Sequence, residues 1–140
     1  MRGKTIAELK IGDSASTTSV ITDERIRQFA EVSGDYNPVH LDEEAAKGSI
    51  FGKRISHGML VASLFSAVLA NELPGSGCIY LGQDLRFMKP VFIDDTITAT
   101  VTVKELIVEK NRVILDTIAT NQNGDVVISG TATIMPVKGE

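Results

Sequence analysis

Residues 58–73 read GMLVASLFSAVLANEL, and this stretch decides the architecture. Leucine, valine, alanine and phenylalanine fall on nearly every side of a helix drawn through it. A helix that offers water no polar face is buried all round. Its apolar part, 59–70, is interrupted by Ser63 and Ser66 and falls short of the ~20 residues that span a bilayer. The reading is a core helix that other elements must wrap.

The wrapping material lies downstream. After Pro74 and Gly75, residues 78–92 form an apolar-rich run that reads as extended and ends near Pro90. Residues 96–103 alternate, with Ile97, Ala99, Val101 and Val103 on one face and four threonines on the other, the period of a half-buried strand. Stretches 112–120 and 126–135 are further strands, joined through Asn121-Gln122-Asn123-Gly124-Asp125, a hairpin signal. Short turns make these strands antiparallel neighbours, and 15–21 supplies an edge strand. One buried helix followed by an antiparallel meander gives an α+β hot-dog fold, an antiparallel sheet wrapped around a long central helix. The alternative is an α+β sheet with its helices on one side.

Upstream, 23–32 places Ile26, Phe29, Ala30 and Val32 at helical spacing, with Thr22 as N-cap and Gly34 as C-terminal cap. Pro38 turns Asn37 away from helical dihedrals. Residues 42–47 form a short helix capped by Asp42 and ended by Gly48, and 49–57 is irregular.

Composition bounds the function. The 140 residues amount to one domain, 1–140, with a formal net charge of −4. No basic cluster offers a nucleic-acid surface, and the N-terminus has no apolar core of a signal peptide. One cysteine, Cys78, excludes an intrachain disulfide, and with two histidines it makes a poor zinc inventory. The expectation is a cytoplasmic domain with no metal, no cofactor, no nucleic acid and no membrane partner.

Two places can carry chemistry. Asp35 and His40, five residues apart, are folded towards one point by a turn at Asn37-Pro38. Such a pair can hold one water and manage two proton transfers, although an Asp–His pair is often only a loop staple. The second place is Ser56-His57-Gly58-Met59-Leu60, where the central helix starts. The first N–H groups of a helix lack partners, and Gly58 lets a thioester carbonyl approach one of them, or else merely eases the chain into a crowded core. His57 is an alternative to His40 as the working imidazole. Ser66 can bond an overlying loop or its own i−4 carbonyl. Arg86 and Lys89, like Lys53 and Arg54, can meet coenzyme A phosphates or simply face water.

Residues 29–46 resemble the hydratase-2 motif of the MaoC-like family: an aromatic, a small residue before Gly34-Asp35, then Asn37-Pro38, an aliphatic, His40 and trailing alanines. The resemblance continues through 56–60, 79–83 and 87–91 and covers nearly the whole chain, most closely the short (R)-specific enoyl-CoA hydratases. It implies syn addition of water to a trans-2-enoyl-CoA, giving an (R)-3-hydroxyacyl-CoA. Asp35 and His40 would activate the water, and the Gly58 N–H would serve the oxyanion. Asn37, His57 and Ser66 would support the site, and 33–57 would be an overhang covering it. It also implies a homodimer, or a higher homo-oligomer, with sheets paired edge to edge. Leu69 and Ile134 are pocket liners by position, so the expected substrates are short, about four to six carbons. The rivals are a carrier-protein dehydratase or thioesterase of the same fold, and a binding subunit without chemistry.

Overall fold

The computed structural model describes residues 2–139. Six strands form one antiparallel sheet: β1 (Ser14–Val20), β2 (Ile79–Gln83), β3 (Arg86–Phe87), β4 (Thr96–Ile107), β5 (Arg112–Thr120) and β6 (Val126–Met135). Their order is β1-β4-β5-β6-β2, with β3 also paired to β6. Four helices accompany them: α1 (Asp23–Ser33), α2 (Pro38–Leu41), α3 (Glu43–Lys47) and α4 (Gly58–Asn71). This is the hot-dog architecture, with α4 packed against the inner face of the sheet.

The alternation in β4 does what its period requires. Ile97, Ala99, Val101 and Val103 are buried beneath α4, while the threonines between them are half-exposed. Ser14 and Thr18 of β1 meet two of those threonines, Thr102 and Thr98, through hydroxyl contacts of 3.1 and 3.0 Å. The inward residues of β5 and β6, among them Leu115, Ala119, Ile128 and Ile134, complete the core around Phe65, Val68 and Leu69 of α4.

Two expectations are corrected. Helix α4 is not buried all round, because Met59, Ser63, Ser66, Ala67 and Ala70 are exposed. Spaced at three and four residues, they form a single stripe along the helix, and the sheet of one chain wraps only the opposite side. The extended run at 78–92 is also broken, into β2 and β3, by Asp84. Its carboxylate accepts from the Thr131 N–H and hydroxyl, so the chain turns against β6. Gly130 allows that approach, since a Cβ there would lie 2.0 Å from the Asp84 carbonyl oxygen.

The local signals at the other end act as their chemistry demands. Thr22 accepts from the Arg25 N–H at 3.2 Å, Gly34 closes α1 at φ 80°, and Asp42 caps α3. The Asn121 side chain accepts from the N–H groups of Asn123 and Asp125 and closes the β5–β6 hairpin. No described helix is long and apolar enough to cross a membrane.

Phe65 is fully buried at the middle of α4. Phe65→Ala should therefore cost about 3–5 kcal/mol of stability, read as a lowered urea midpoint with an unchanged slope. A loss under ~1 kcal/mol would mean that the helix does not depend on the sheet packed against it.

Candidate active site

The site is built where three short elements meet the start of α4. Its first group, Asp35, follows the left-handed Gly34 in a run of nested turns. Asp35 N–H donates to Ser33 Oγ at 3.1 Å, and Asp35 Oδ1 accepts from Asn37 N–H at 3.1 Å. Asn37 in turn caps α2 through Val39 N–H. These local bonds occupy Oδ1 and leave Oδ2 free to face His40.

His40 is carried inward on α2 and is buried. Its Nδ1 lies 2.8 Å from the Ile55 carbonyl oxygen. A carbonyl only accepts, so Nδ1 carries the proton and Nε2 presents a lone pair. That lone pair stands 4.0 Å from Asp35 Oδ2. The gap is too long for a direct hydrogen bond, and both atoms are acceptors. One water donating to both would fit the space, with its own lone pairs turned outward.

Burial pushes the His40 imidazole below its ordinary value. The Ile55 carbonyl and the Asp35 carboxylate oppose that shift, and His57 and Arg54 add to it. The neutral, basic form is thus the one held at neutral pH.

His57 packs behind the pair. Its ring lies 3.9 Å from the His40 ring, centroid to centroid, and its Nε2 is 3.0 Å from the Asp35 carbonyl oxygen. Phe29 of α1 covers it at 4.9 Å. Asp35, His40 and His57 place donor atoms within 4.8 Å of one another, yet they make a poor metal cage. The two rings are packed 3.9 Å apart, centroid to centroid, and tilted by 31°. His40 Nδ1 and His57 Nε2 are also already spent on carbonyl oxygens.

Next comes Gly58, the first residue of α4, whose N–H is among the unpartnered donors of a helix start. A Cβ at Gly58 would lie 2.5 Å from the Phe87 ring. A side chain at this position would have to push the half-exposed Phe87 ring aside. Asp35, His40, His57 and Gly58 open onto one cleft of about 410 Å³, whose other walls include Phe51, Met59, Phe87 and Met88.

Not every residue singled out from the sequence reaches this cleft. Lys89 does line it and also pairs with Asp125 at 3.4 Å. Arg86 sits on exposed β3, Asn37 serves as the cap just described, and Ser66 lies on the open stripe of α4. None of the three is among the lining residues. Leu69 and Ile134 are 1% and 0% exposed, packed in the core instead of the cleft.

Arg54 is corrected from a surface cation to an internal tie. It is buried, its Nε donates to the His40 carbonyl at 2.8 Å, and its other nitrogens reach Asp23 of α1 and Glu43 of α3. Lys53 lies over the Phe92 ring at 4.2 Å. No local signal distinguishes these two adjacent cations, because the partners of Arg54 lie 11 to 31 residues away.

The profile described as a MaoC like domain matches residues 8–123. The chain belongs to the MaoC-like family. Its relatives include an (R)-specific enoyl-CoA hydratase of Rhodospirillum rubrum, 48% identical over 94% of this chain and 92% of the relative. Another, 41% identical over 95% of this chain and 84% of the relative, is a 3-hydroxybutyryl-CoA dehydratase of Methylorubrum extorquens. Among solved structures, an R-hydratase of Pseudomonas aeruginosa in its unliganded form superposes with a TM-score of 0.91 at 45% identity, covering 98% of this chain and 88% of that one.

The depressed His40 sets a pH limit for this MaoC-like chain. Any turnover that needs His40 unprotonated should hold steady as the pH falls to about 6.5 and decline only below it. An acid limb of kcat/KM centred above that value would show that His40 is not held neutral by its burial.

Proposed function

We propose that this MaoC-like protein is an (R)-specific enoyl-CoA hydratase acting on short-chain trans-2-enoyl-CoA such as crotonyl-CoA. The observation that carries the reading is the 4.0 Å separation of His40 Nε2 and Asp35 Oδ2, two acceptors facing each other at a cleft headed by the Gly58 N–H. The relatives are named for adding water to, or removing it from, acyl-CoA, which supports assignment to the hydro-lyases.

The proposed reaction follows from these positions. A water donating to Asp35 and His40 has its lone pairs directed at the third carbon of the enoyl group. As the C–O bond forms, one water proton passes to the pair and the double-bond electrons move towards the thioester oxygen. The Gly58 N–H stabilises the resulting enolate oxygen, a donor placed where charge develops. The pair then returns one proton to the second carbon on the same face. Two coupled groups share that traffic, so base and acid belong to the pair and not to one residue.

Carrier and chain length are read from the cleft walls and from the relatives. Lys89 at the cleft margin suits a phosphate of coenzyme A. Phe51, Met59, Phe87 and Met88 crowd the cleft, and the four-carbon acyl group in the Methylorubrum relative's name favours short substrates. Because Leu69 and Ile134 are core residues here, any limit on chain length falls to the four crowding side chains.

A homodimer through the β2 edge belongs to the same proposal. The sheet ends in two strands, β1 and β2. The exposed positions of β1 are Ser14, Ser16, Thr18 and Val20, with one apolar residue, whereas β2 exposes three in succession, Ile79, Tyr80 and Leu81. An exposed apolar edge invites pairing with another strand. Sedimentation should give twice the 15.0 kDa chain mass, and Leu81→Lys should shift it towards a single chain. A wild-type monomer would reject this assembly.

The deciding assay follows the loss of enoyl-thioester absorbance with crotonyl-CoA. The wild type should turn over, with (R)-3-hydroxybutyryl-CoA as product. Asp35→Asn and His40→Gln should each lose at least ~100-fold in kcat while unfolding at wild-type temperatures. A wild type that ignores crotonyl-CoA but hydrates the carrier-protein thioester would replace the carrier. Faster turnover of a ten-carbon substrate would replace the chain length.

A further inference from the structure

We propose that His57 is a positioning residue: it holds one fixed tautomer, opposite to that of His40, and through it sets the Asp35–His40 separation. The kinetic consequence rests on the hydratase reading, while the tautomer assignment does not.

Each ring faces one backbone carbonyl oxygen. His40 Nδ1 faces the Ile55 carbonyl at 2.8 Å, and His57 Nε2 faces the Asp35 carbonyl at 3.0 Å. Both oxygens are obligate acceptors, so each facing nitrogen must bear the proton. The protons therefore sit on Nδ1 in one ring and on Nε2 in the other. His57 makes no side-chain cap to α4, and its Nδ1 is buried without a partner among the described residues. Its one hydrogen bond is thus to the backbone of the residue whose carboxylate faces His40.

The ring also has no freedom to turn. Phe29 lies on it at 4.9 Å, His40 at 3.9 Å, and the residue is 2% exposed. One side chain therefore touches both partners of the pair, Asp35 by a hydrogen bond and His40 by its ring face. Asp35 itself is half-exposed and sits in a loop. Its turn is otherwise held by local bonds, Asp35 N–H to Ser33 Oγ, Asn37 N–H to Asp35 Oδ1 and His40 N–H to the Asn37 carbonyl, all of which leave the His40 ring untouched.

The titratable groups around the pair come from separate elements: Arg54 through the His40 carbonyl, His57 at the start of α4, and Lys89 after β3 on the cleft wall. Of these, only His57 contacts both members through its side chain.

The chain contains two histidines, which makes the first test direct. Long-range ¹H–¹⁵N spectra of the intact protein at pH 7.5 should show two imidazoles, His40 protonated on Nδ1 and His57 on Nε2, assigned with His57→Gln. Finding His57 protonated on Nδ1, or as an averaging mixture, would overturn the proposal.

The second test is a kinetic cycle on crotonyl-CoA. His57→Phe keeps a ring but removes the donor, and should lower kcat about 10-fold or more with KM within ~2-fold. In an Asp35→Asn background the same change should cost less than ~2-fold, because the group it positions is already gone. His57→Gln, which restores a donor at similar reach, should recover most of the loss. Equal losses in both backgrounds, or no recovery with Gln, would reduce His57 to a packing residue. If the Phe variant fails to fold, the Gln variant and the spectra still decide. A folded wild type inactive on every enoyl thioester would count against the hydratase reading alone, and the tautomers would still be read.

Discussion

The guanidinium of Arg54 holds together a region that has little regular structure of its own. Between α1 and α4 the chain runs through two helices of four and five residues and a stretch of turns. Helices that short do not persist alone. Arg54 reaches α1 through Asp23, α2 through the His40 carbonyl and α3 through Glu43, so three elements are referred to one buried charge. The neighbouring guanidinium holds the Asp23 carboxyl below its usual range, chiefly by hydrogen bonding, with Arg27 helping. A buried cation left without such partners costs several kcal/mol. The same contacts that satisfy Arg54 therefore oblige the loop to close, and closing it carries His40 into the protein.

Helix α4 supplies the other half of the frame. It is too apolar to stand in water, so its position is dictated by the sheet, and its first residue arrives at the cleft as a consequence. Ser56 N–H donates to the Val91 carbonyl at 2.7 Å and Ile55 bridges Phe92. The residues just before the helix are thereby stitched to the segment after β3. Phe87 then presses on Gly58. Core packing and the cleft are thus one structure: the sheet that buries α4 also determines which side chain stands over its N-terminus.

Much of this was readable in the sequence where the signal is local. Caps at Thr22, Gly34 and Asp42, the alternation in β4 and the bounds of β5 and β6 depend on neighbours within a few residues. The proximity of Asp35 and His40 also followed from a turn at Asn37-Pro38, which the structure resolves as a capped α2. What escaped was set at long range. Nothing near Arg54 marks it as buried while Lys53 lies over an aromatic ring. Nothing in α4 says that one stripe stays open, since Ser63 and Ser66 are compatible with a buried helix. Leu69 and Ile134 look like cleft residues by position and are core residues by packing, because Phe87 and Met88 occupy the wall instead. A cleft wall is a tertiary fact, and exposed aromatics leave no periodic trace.

The unequal burial of the pair has a chemical consequence. His40 is buried, whereas the Asp35 side chain is 49% exposed, so the imidazole is surrounded by protein and the carboxylate faces solvent. A thioester seated over Asp35 would exclude that solvent. A lower dielectric strengthens the coupling of groups this close, here across the 4.0 Å between Asp35 Oδ2 and His40 Nε2. On the proposed hydratase reading, covering the cleft would tighten the coupling within the pair, while the helix start would offer its N–H groups to the thioester oxygen. On that reading substrate binding would itself complete the enclosure of the pair, which in the free protein stays open to solvent on the Asp35 side.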